Sequence, residues 1–165
     1  MQYVFDTNIL IDLHENYYPE IFQTLWDKFE ELIREDIVIS LNEVKCELKS
    51  KKIRDHWMKI DNNTGNKLFI ELTNDDMKNL SKIEKLDIYR EKFNKNSKRI
   101  SIEEEWGYGE CVADPLLIIY GLSYNACVVT NENIRKKHNI PHVCDELNVK
   151  HIDLKQFFIE NKITF

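Results

Sequence analysis

Three polar side chains directly follow the first apolar run of the chain, Tyr3–Phe5: they are Asp6, Thr7 and Asn8. An apolar run that ends abruptly in such residues is typical of a buried strand followed by a turn and a helix start. In open α/β sheets, ligands bind at the carboxyl ends of the strands. We therefore expect Asp6 to lie at the mouth of a site.

Three further acids occupy comparable settings. Glu132 ends a predicted strand, Glu43 opens a helix directly after a strand, and Asp114 opens another helix. Strand ends and the helix starts that follow them share one edge of a parallel sheet, so the four carboxylates can converge. Carboxylates about 4 Å apart repel by several kcal/mol per pair at an effective dielectric constant of about 20. The pattern therefore predicts a hard divalent cation, Mg²⁺ or Mn²⁺, among Asp6 and these three acids.

A carboxylate pocket of this kind is typical of hydrolases that cleave phosphodiesters. A cation lowers the pKa of a bound water for attack on phosphorus, and a second ion about 3.5–4 Å away, if present, stabilises the leaving oxygen. We find no Ser-His-Asp or Cys-His arrangement and no phosphate-binding glycine loop in the sequence. The pattern thus favours metal-assisted hydrolysis over covalent catalysis.

Each of the four acids could also have a structural role, as a helix cap, instead of binding a cation. Glu43 is the fourth residue of Ser-x-x-Glu, the pattern of a capping box that begins at Ser40. Asp114 precedes a proline, as a helix N-cap often does. Asp6 and Glu132 could likewise cap the helices that follow them. The residues alone leave these alternatives open at all four positions.

Basic and aromatic residues near the acids could contact a substrate. Lysines and arginines follow Glu43 and Glu132 closely, and two aromatic residues precede Asp114. The candidate substrate contacts are Lys49, Lys52, Arg135, Lys136, Trp106 and Tyr108. The basic residues could track phosphates and the aromatic ones could stack on a base. The alternatives are solvated helix faces for the former and loop packing for the latter.

Length and composition indicate a single globular domain over residues 1–165. The chain has a net charge of −6, which argues against a protein that coats nucleic acid nonspecifically. No apolar run approaches the roughly 20 residues that span a bilayer. The sequence shows no signal peptide, so we expect a cytoplasmic protein without a membrane-spanning segment.

Strands alternate with helices along the chain, which predicts an α/β fold with a parallel sheet. Pro19 is expected to open a helix that turns Ile21 inward, residues 40–57 to form one helix, and Thr73 to cap a helix with Met77 inward. Residues 94–109 lack periodicity and predict a loop insertion. The predicted strands are 3–5, 37–39, 68–70, 126–130 and 149–152.

Four motifs in this order resemble the PIN-domain superfamily, and specifically a small PIN-like branch of unknown function similar to VapC-type toxin ribonucleases. The resemblance covers nearly the whole chain. The motifs are Phe5-Asp6-Thr7-Asn8, Ser40-x-x-Glu43-Val44, Ala113-Asp114-Pro115-Leu116 and Val128-Val129-Thr130-Asn131-Glu132.

The resemblance implies a three-layer α/β/α fold with a central parallel sheet and a metal-dependent endoribonuclease site. It assigns the Mg²⁺ or Mn²⁺ ligands to Asp6, Glu43, Asp114 and Glu132. Thr7, Asn8 and Thr130 fall at positions that support the metal site in the family. The chain departs from the family in two respects: its fourth acid is Glu rather than the commoner Asp, and the stretch between the second and third acids is longer.

The resemblance also implies partners. VapC-type toxins are made with an antitoxin that blocks the site, so we expect an RNA substrate, an antitoxin protein and a homodimer. Two alternatives from other functional classes remain open: a noncatalytic PIN-like module that binds a protein or RNA, and a structure-specific DNA nuclease.

Overall fold

A single parallel sheet forms the centre of the protein. The computed structural model describes residues 1–84, 113–136 and 139–163. Within these ranges, five strands pair in the order β3-β2-β1-β4-β5, and every pairing is parallel. The strands are β1 (Tyr3–Phe5), β2 (Val38–Leu41), β3 (Phe69–Ile70), β4 (Cys127–Val129) and β5 (His151–Ile152).

The strand order creates a switch point between β1 and β4. From β1 the chain moves outward to β2 and β3, and then returns to add β4 and β5 on the other side of β1. Ligand-binding crevices of open α/β sheets form outside the carboxyl ends of the strands at such a point. Phe5 pairs with Val129 at the end of the two strands, so Asp6 and Thr130 leave the sheet side by side.

Helices connect the strands. In residues 1–84 the helices are α1 (Thr7–Asn16), α2 (Gln23–Arg34), α3 (Asn42–Glu47), α4 (Lys51–Asn63), α5 (Asn74–Met77) and α6 (Leu80–Glu84). In residues 113–136 and 139–163 they are α7 (Asp114–Tyr124), α8 (Ile140–Leu147) and α9 (Leu154–Glu160). Asn125 and Asn148 adopt left-handed conformations that end α7 and α8, a conformation that asparagine tolerates better than most residues.

The two faces of the sheet pack against different helices. Phe5 of β1 contacts Phe157 of α9 with ring centres 4.9 Å apart, and Phe157 stacks on Phe29 of α2 at 5.9 Å. Elsewhere, Gly121 lets α7 approach the sheet, because a Cβ at this position would lie 3.1 Å from a methyl of Val128 in β4 and 2.6 Å from a methyl of Val149. The result is the three-layer α/β/α arrangement with a central parallel sheet.

The structure confirms the predicted fold class and corrects several helices. Residues 40–57 do not form one helix: α3 ends at Glu47 and α4 begins at Lys51. The helix expected from Pro19 begins only at Gln23, and Ile21 is 70% exposed rather than buried. Apolar residues at helical spacing continue back to Ile21, but periodicity alone does not show at which residue a helix begins.

The helix expected after Thr73 is also different. Thr73 does form a capping box, with Asp76 as its reciprocal partner. The helix it caps ends at Met77, and α6 begins separately at Leu80. Met77 is 38% exposed, so the expectation that it points inward was wrong.

Some predictions fall on residues that the structure does not describe. The expected loop insertion at 94–109, with Trp106 and Tyr108, lies within the gap at 85–112. In the described ranges, none of the helices has the length and apolarity that crossing a bilayer requires.

Two histidines meet between α1 and α4. The rings of His14 and His56 lie 4.9 Å apart, and Trp26 presents an edge contact to His56 at 4.6 Å. His14 Nδ1 and His56 Nε2 are buried, and neither has a hydrogen-bond partner in the described ranges. Burial lowers the pKa of His56 to about 4 and also lowers the pKa of His14. Both rings are therefore neutral near pH 7.

The charges around His56 act mostly in the same direction. His14, Lys59 and Lys52 disfavour a proton on the His56 ring, and Glu20 favours one. A histidine whose folded-state pKa lies below its unfolded value of about 6.5 stabilises the folded protein above that pH. As the pH falls from 6.5 towards 4, the unfolded chain binds protons that the folded protein does not, and this stability is lost.

We predict that His56→Gln makes the protein less sensitive to acid, because glutamine cannot take up the proton. Between pH 7.5 and pH 5, the wild-type free energy of unfolding should fall by about 1–2 kcal/mol more than that of the variant, allowing for solvent screening of a half-buried ring. Urea unfolding at both pH values measures the difference, and all other titrating groups are common to the two proteins. Equal losses would contradict the prediction.

Candidate metal centre

Asp6 lies at the switch point and is almost completely buried, with 3% of its surface exposed. One carboxylate oxygen, Oδ1, accepts a hydrogen bond from the Thr7 amide at 2.6 Å. The other, Oδ2, accepts from the Thr130 hydroxyl at 2.7 Å and from the side-chain amide of Asn8. Thr7, Asn8 and Thr130 thus all donate hydrogen bonds to the carboxylate of Asp6.

Two other predicted acids interact electrostatically with Asp6. Its pKa is raised to about 7, chiefly because burial removes the carboxylate from water. The hydrogen bond from Thr130 lowers this pKa, whereas the negative charges of Asp114 and Glu132 raise it. A positive charge near these three acids would therefore favour the ionised form of Asp6.

Glu132 follows β4 and performs the capping role that its sequence position suggested. Its Oε2 accepts a hydrogen bond of 2.7 Å from the amide of Ile140, the first residue of α8. Its own amide donates to the Thr130 hydroxyl at 3.2 Å. The cap occupies one carboxylate oxygen, and the same side chain still contributes negative charge to Asp6.

Asp114 is not an N-cap. Ala113 is the N-cap of α7, and Asp114 is the first helical residue, with Pro115 next. Asp114 is partly buried, and its charge acts on Asp6. The structure thus brings the start of α7 to the same edge of the sheet as the ends of β1 and β4.

Glu47, in the last turn of α3, is a carboxylate at this edge that the sequence analysis missed. Its Oε2 accepts a hydrogen bond from the Thr7 hydroxyl, and its Oε1 accepts one from the Ala113 amide at 2.8 Å. Thr7 directly follows Asp6, and Ala113 directly precedes Asp114. Glu47 therefore links the first and third predicted acids.

A sequence signal for Glu47 existed. Glu47 is four residues after Glu43, so both side chains lie on the same face of a helix. A helical prediction for residues 42–47 makes either glutamate a candidate for the second acid. Only the contacts of Glu47 with Thr7 and Ala113 distinguish the two positions.

Glu43 has no capping box. Ser40 belongs to β2, and its hydroxyl donates to the Phe5 carbonyl at 2.8 Å. The N-cap of α3 is Leu41, which makes no side-chain capping bond. Glu43 Oε2 is buried and has no hydrogen-bond partner among the residues that the structure describes. A buried carboxylate oxygen without a donor is costly unless a cation or a proton compensates it.

These acids fit a hard divalent cation in their chemistry. Burial and like charge disfavour the ionised form of Asp6, which a cation would favour. The donors are carboxylate oxygens, and Glu43 contributes one that has no partner among the described residues. They do not form a ready-made coordination sphere: in the described ranges, no three His, Cys, Asp or Glu side chains converge closely enough to hold an ion. The acids therefore suit a divalent cation by the type of their donor atoms and by their negative charge, and not by a preformed coordination geometry.

The candidate substrate contacts that the structure describes lie on the surface. Lys49, between α3 and α4, is exposed, and so are Arg135 and Lys136 in the turn after Glu132. Lys52, also exposed, contributes to the wall of a cavity of about 480 Å³ beside α1. These positions are open to solvent, as a phosphate contact requires.

A solved structure shares this fold. A chain in the crystal structure of VapBC2 from Rickettsia felis, bound to a DNA fragment from their promoter, matches with a TM-score of 0.50 and 20% identity. The match covers 93% of this chain and 98% of the other. It supports a PIN-like three-layer α/β/α fold. No curated protein sequence matches the chain.

A family model provides the assignment by sequence. It matches residues 3–165 and therefore includes every acid of the candidate metal centre. The chain belongs to the family described as Domain of unknown function (DUF4411).

Proposed function

We propose that the protein is a divalent-metal-dependent endoribonuclease. The observation that carries the proposal is the buried Asp6 at the β1–β4 switch point, whose pKa is raised to about 7 by burial and by two further acids. Perturbed carboxylates at the ligand-binding edge of an α/β sheet are candidates for function rather than for stability. The likeness in fold to a VapBC2 chain supports a nuclease of the toxin type.

In this proposal, Mg²⁺ or Mn²⁺ is held by Asp6, Asp114 and Glu132 together with a glutamate of α3. Two glutamates are alternatives for this position. Glu47 can bind the cation if it releases its hydrogen bonds from Thr7 and Ala113. Glu43 can bind the cation with its Oε2, which has no hydrogen-bond partner among the described residues. When bound, the cation supplies Lewis acidity to the attacking water and to the phosphate. Neighbouring polar groups of the protein hold Asp6 in place by hydrogen bonds.

The supporting polar residues have separate tasks. Thr130 and Asn8 hold Asp6 Oδ2, and the Thr7 amide holds Oδ1. The exposed Lys49, Lys52, Arg135 and Lys136 are proposed to contact backbone phosphates. Because these contacts would be electrostatic, substrate binding should weaken as the salt concentration rises.

Mn²⁺ should stabilise the wild-type protein. A ligand at about 100 times its dissociation constant raises the free energy of unfolding by roughly 2.7 kcal/mol, which corresponds to a rise of several degrees in Tm. Thermal unfolding with and without millimolar Mn²⁺ measures this shift. Asp6→Asn should abolish the shift, whereas the exposed Asp27→Asn should retain it.

The same measurement distinguishes the two glutamates of α3. If Glu47 binds the cation, Glu47→Gln loses the Mn²⁺-dependent shift and Glu43→Gln keeps most of it; if Glu43 binds, the order reverses. Both variants preserve side-chain size, and each is compared with its own Tm in a chelator. A full shift in both of these variants and in Asp6→Asn would exclude this site for the cation.

Cleavage of single-stranded RNA in Mn²⁺ should depend on the acids. We expect Asp114→Asn to reduce the cleavage rate by a factor of about 100 or more, because loss of a cation-binding charge affects every turnover. Asp27→Asn, purified in the same way, should cleave at the wild-type rate. The assay follows labelled RNA, with single-stranded and duplex DNA in parallel.

The comparison of substrates separates the alternatives. Cleavage of duplex DNA in preference to RNA would favour the DNA nuclease. Binding of RNA without cleavage would favour a noncatalytic module. Equal cleavage by the wild-type protein and Asp114→Asn would show that the activity comes from a contaminant.

We also infer a protein partner, an antitoxin, and a homodimer of this chain. One support is the likeness in fold to a chain of VapBC2. The other is the group of acids Asp6, Asp114 and Glu132, whose negative charge suits a partner that inserts an Arg or Lys side chain. Coexpression with the product of the adjacent gene should give a complex that cleaves RNA more slowly than the free chain. Light scattering measures both assemblies; a monomer that the adjacent product neither binds nor inhibits would contradict the inference.

A further inference from the structure

Asn131 connects three elements at the edge of the candidate metal centre. It is the second residue after β4, and its side-chain Nδ2 donates to Asp12 Oδ2 of α1 at 2.6 Å. Its Oδ1 accepts the amide of Leu154, the first residue of α9, at 3.1 Å. Both polar atoms of this side chain are therefore used, one on each of two helices that lie 23 and 119 residues away in sequence.

The backbone of Asn131 makes a further contact, with Asn8. Its amide donates to Asn8 Oδ1 at 3.0 Å. A side-chain amide has an acceptor end and a donor end, so this bond determines which end of Asn8 faces the acid. With its oxygen towards Asn131, Asn8 directs Nδ2 at Asp6 Oδ2 and at the Thr130 hydroxyl, the latter at 3.1 Å.

The orientation of Asn8 decides how the two oxygens of Asp6 are used. Oδ2 accepts two hydrogen bonds, from Asn8 and Thr130, which occupy its two lone pairs. Within the residues that the structure describes, Oδ1 accepts one, from the Thr7 amide, which leaves it a lone pair. If Asn8 were reversed, its oxygen would face Oδ2 and repel it. The contact with Asn131 therefore leaves Oδ1 as the oxygen of Asp6 that is able to bind a cation.

We propose that Asn131 is a positioning residue for the metal centre: its side chain clamps α1 and α9 to the end of β4, and its amide orients Asn8 so that Asp6 Oδ1 faces the cation. The inference rests on the proposed function, since it requires a cation at Asp6. Asn131 acts through Asn8 and touches neither cation nor substrate.

The contact between Asp12 and Asn131 allows a swap experiment. Asn131→Asp keeps an oxygen for the Leu154 amide but places a second carboxylate against Asp12. Asp12→Asn keeps an acceptor for Asn131. The double variant Asp12→Asn/Asn131→Asp exchanges donor and acceptor across the same contact and has the wild-type net charge.

The measured quantity is the Mn²⁺ dissociation constant, taken from the electron paramagnetic resonance signal of free Mn²⁺ well below each Tm. We expect Asn131→Asp to raise this constant about tenfold, as loss of a residue that supports a metal ligand does, and the double variant to return it to near the wild-type value. Asp12→Asn should bind like the wild type.

Two controls address charge and folding. Asn133→Asp adds the same negative charge two residues away, keeps an acceptor for the Arg135 amide, and should not weaken Mn²⁺ binding. Asn131→Ala removes both side-chain contacts without adding charge and should also raise the dissociation constant about tenfold. It serves as the test if Asn131→Asp does not fold.

The outcomes separate this inference from the proposed function. If the wild-type protein does not bind Mn²⁺, the proposed function fails and the inference with it. If the wild type binds and the Asn131 variants bind equally well with a lower Tm, Asn131 is merely structural and the inference alone is overturned. Weak binding by the double variant, equal to that of Asn131→Asp, would also overturn it.

Discussion

Burial of one carboxylate at the junction of β1 and β4 is the constraint on which the candidate centre depends. Asp6 follows a strand with neighbours on both sides, so water cannot reach it freely, and its pKa rises to about 7. The fold compensates with hydrogen bonds from Thr7, Asn8 and Thr130. Those bonds hold the carboxylate in one orientation. The negative charges of Asp114 and Glu132 still disfavour its ionised form.

The same constraint explains why the elements around the switch point are tied together. Glu47 joins the residue after Asp6 to the residue before Asp114, and Asn131 joins the end of β4 to α1 and α9. Each contact spans many residues of sequence, and at least one of its two residues lies at or beside the end of a helix or strand. The acids are therefore positioned by backbone ends, which move less than long loops.

Local patterns were enough to predict the sheet and the first acid. Tyr3–Phe5 and Cys127–Val129 are short apolar runs that end in polar residues, and such runs indicate buried strands before any tertiary contact is known. The sequence analysis also extended one helix from residue 40 to residue 57, although α3 ends at Glu47 and a separate helix begins at Lys51. The positions of Trp106 and Tyr108 fall outside the described residues.

The sequence by itself determined the alternation of strands and helices along the chain, the parallel sheet, and the presence of acids at strand and helix ends, because these follow from the spacing of apolar and polar residues. Tertiary structure alone decided which glutamate of α3 reaches Thr7, that Asp114 is the first residue of α7, and that Asn131 orients Asn8. Glu43 and Glu47 share one helix face, so local periodicity cannot rank them. Their ranking requires contacts with residues 40 to 66 positions away, which exist only once the sheet has formed.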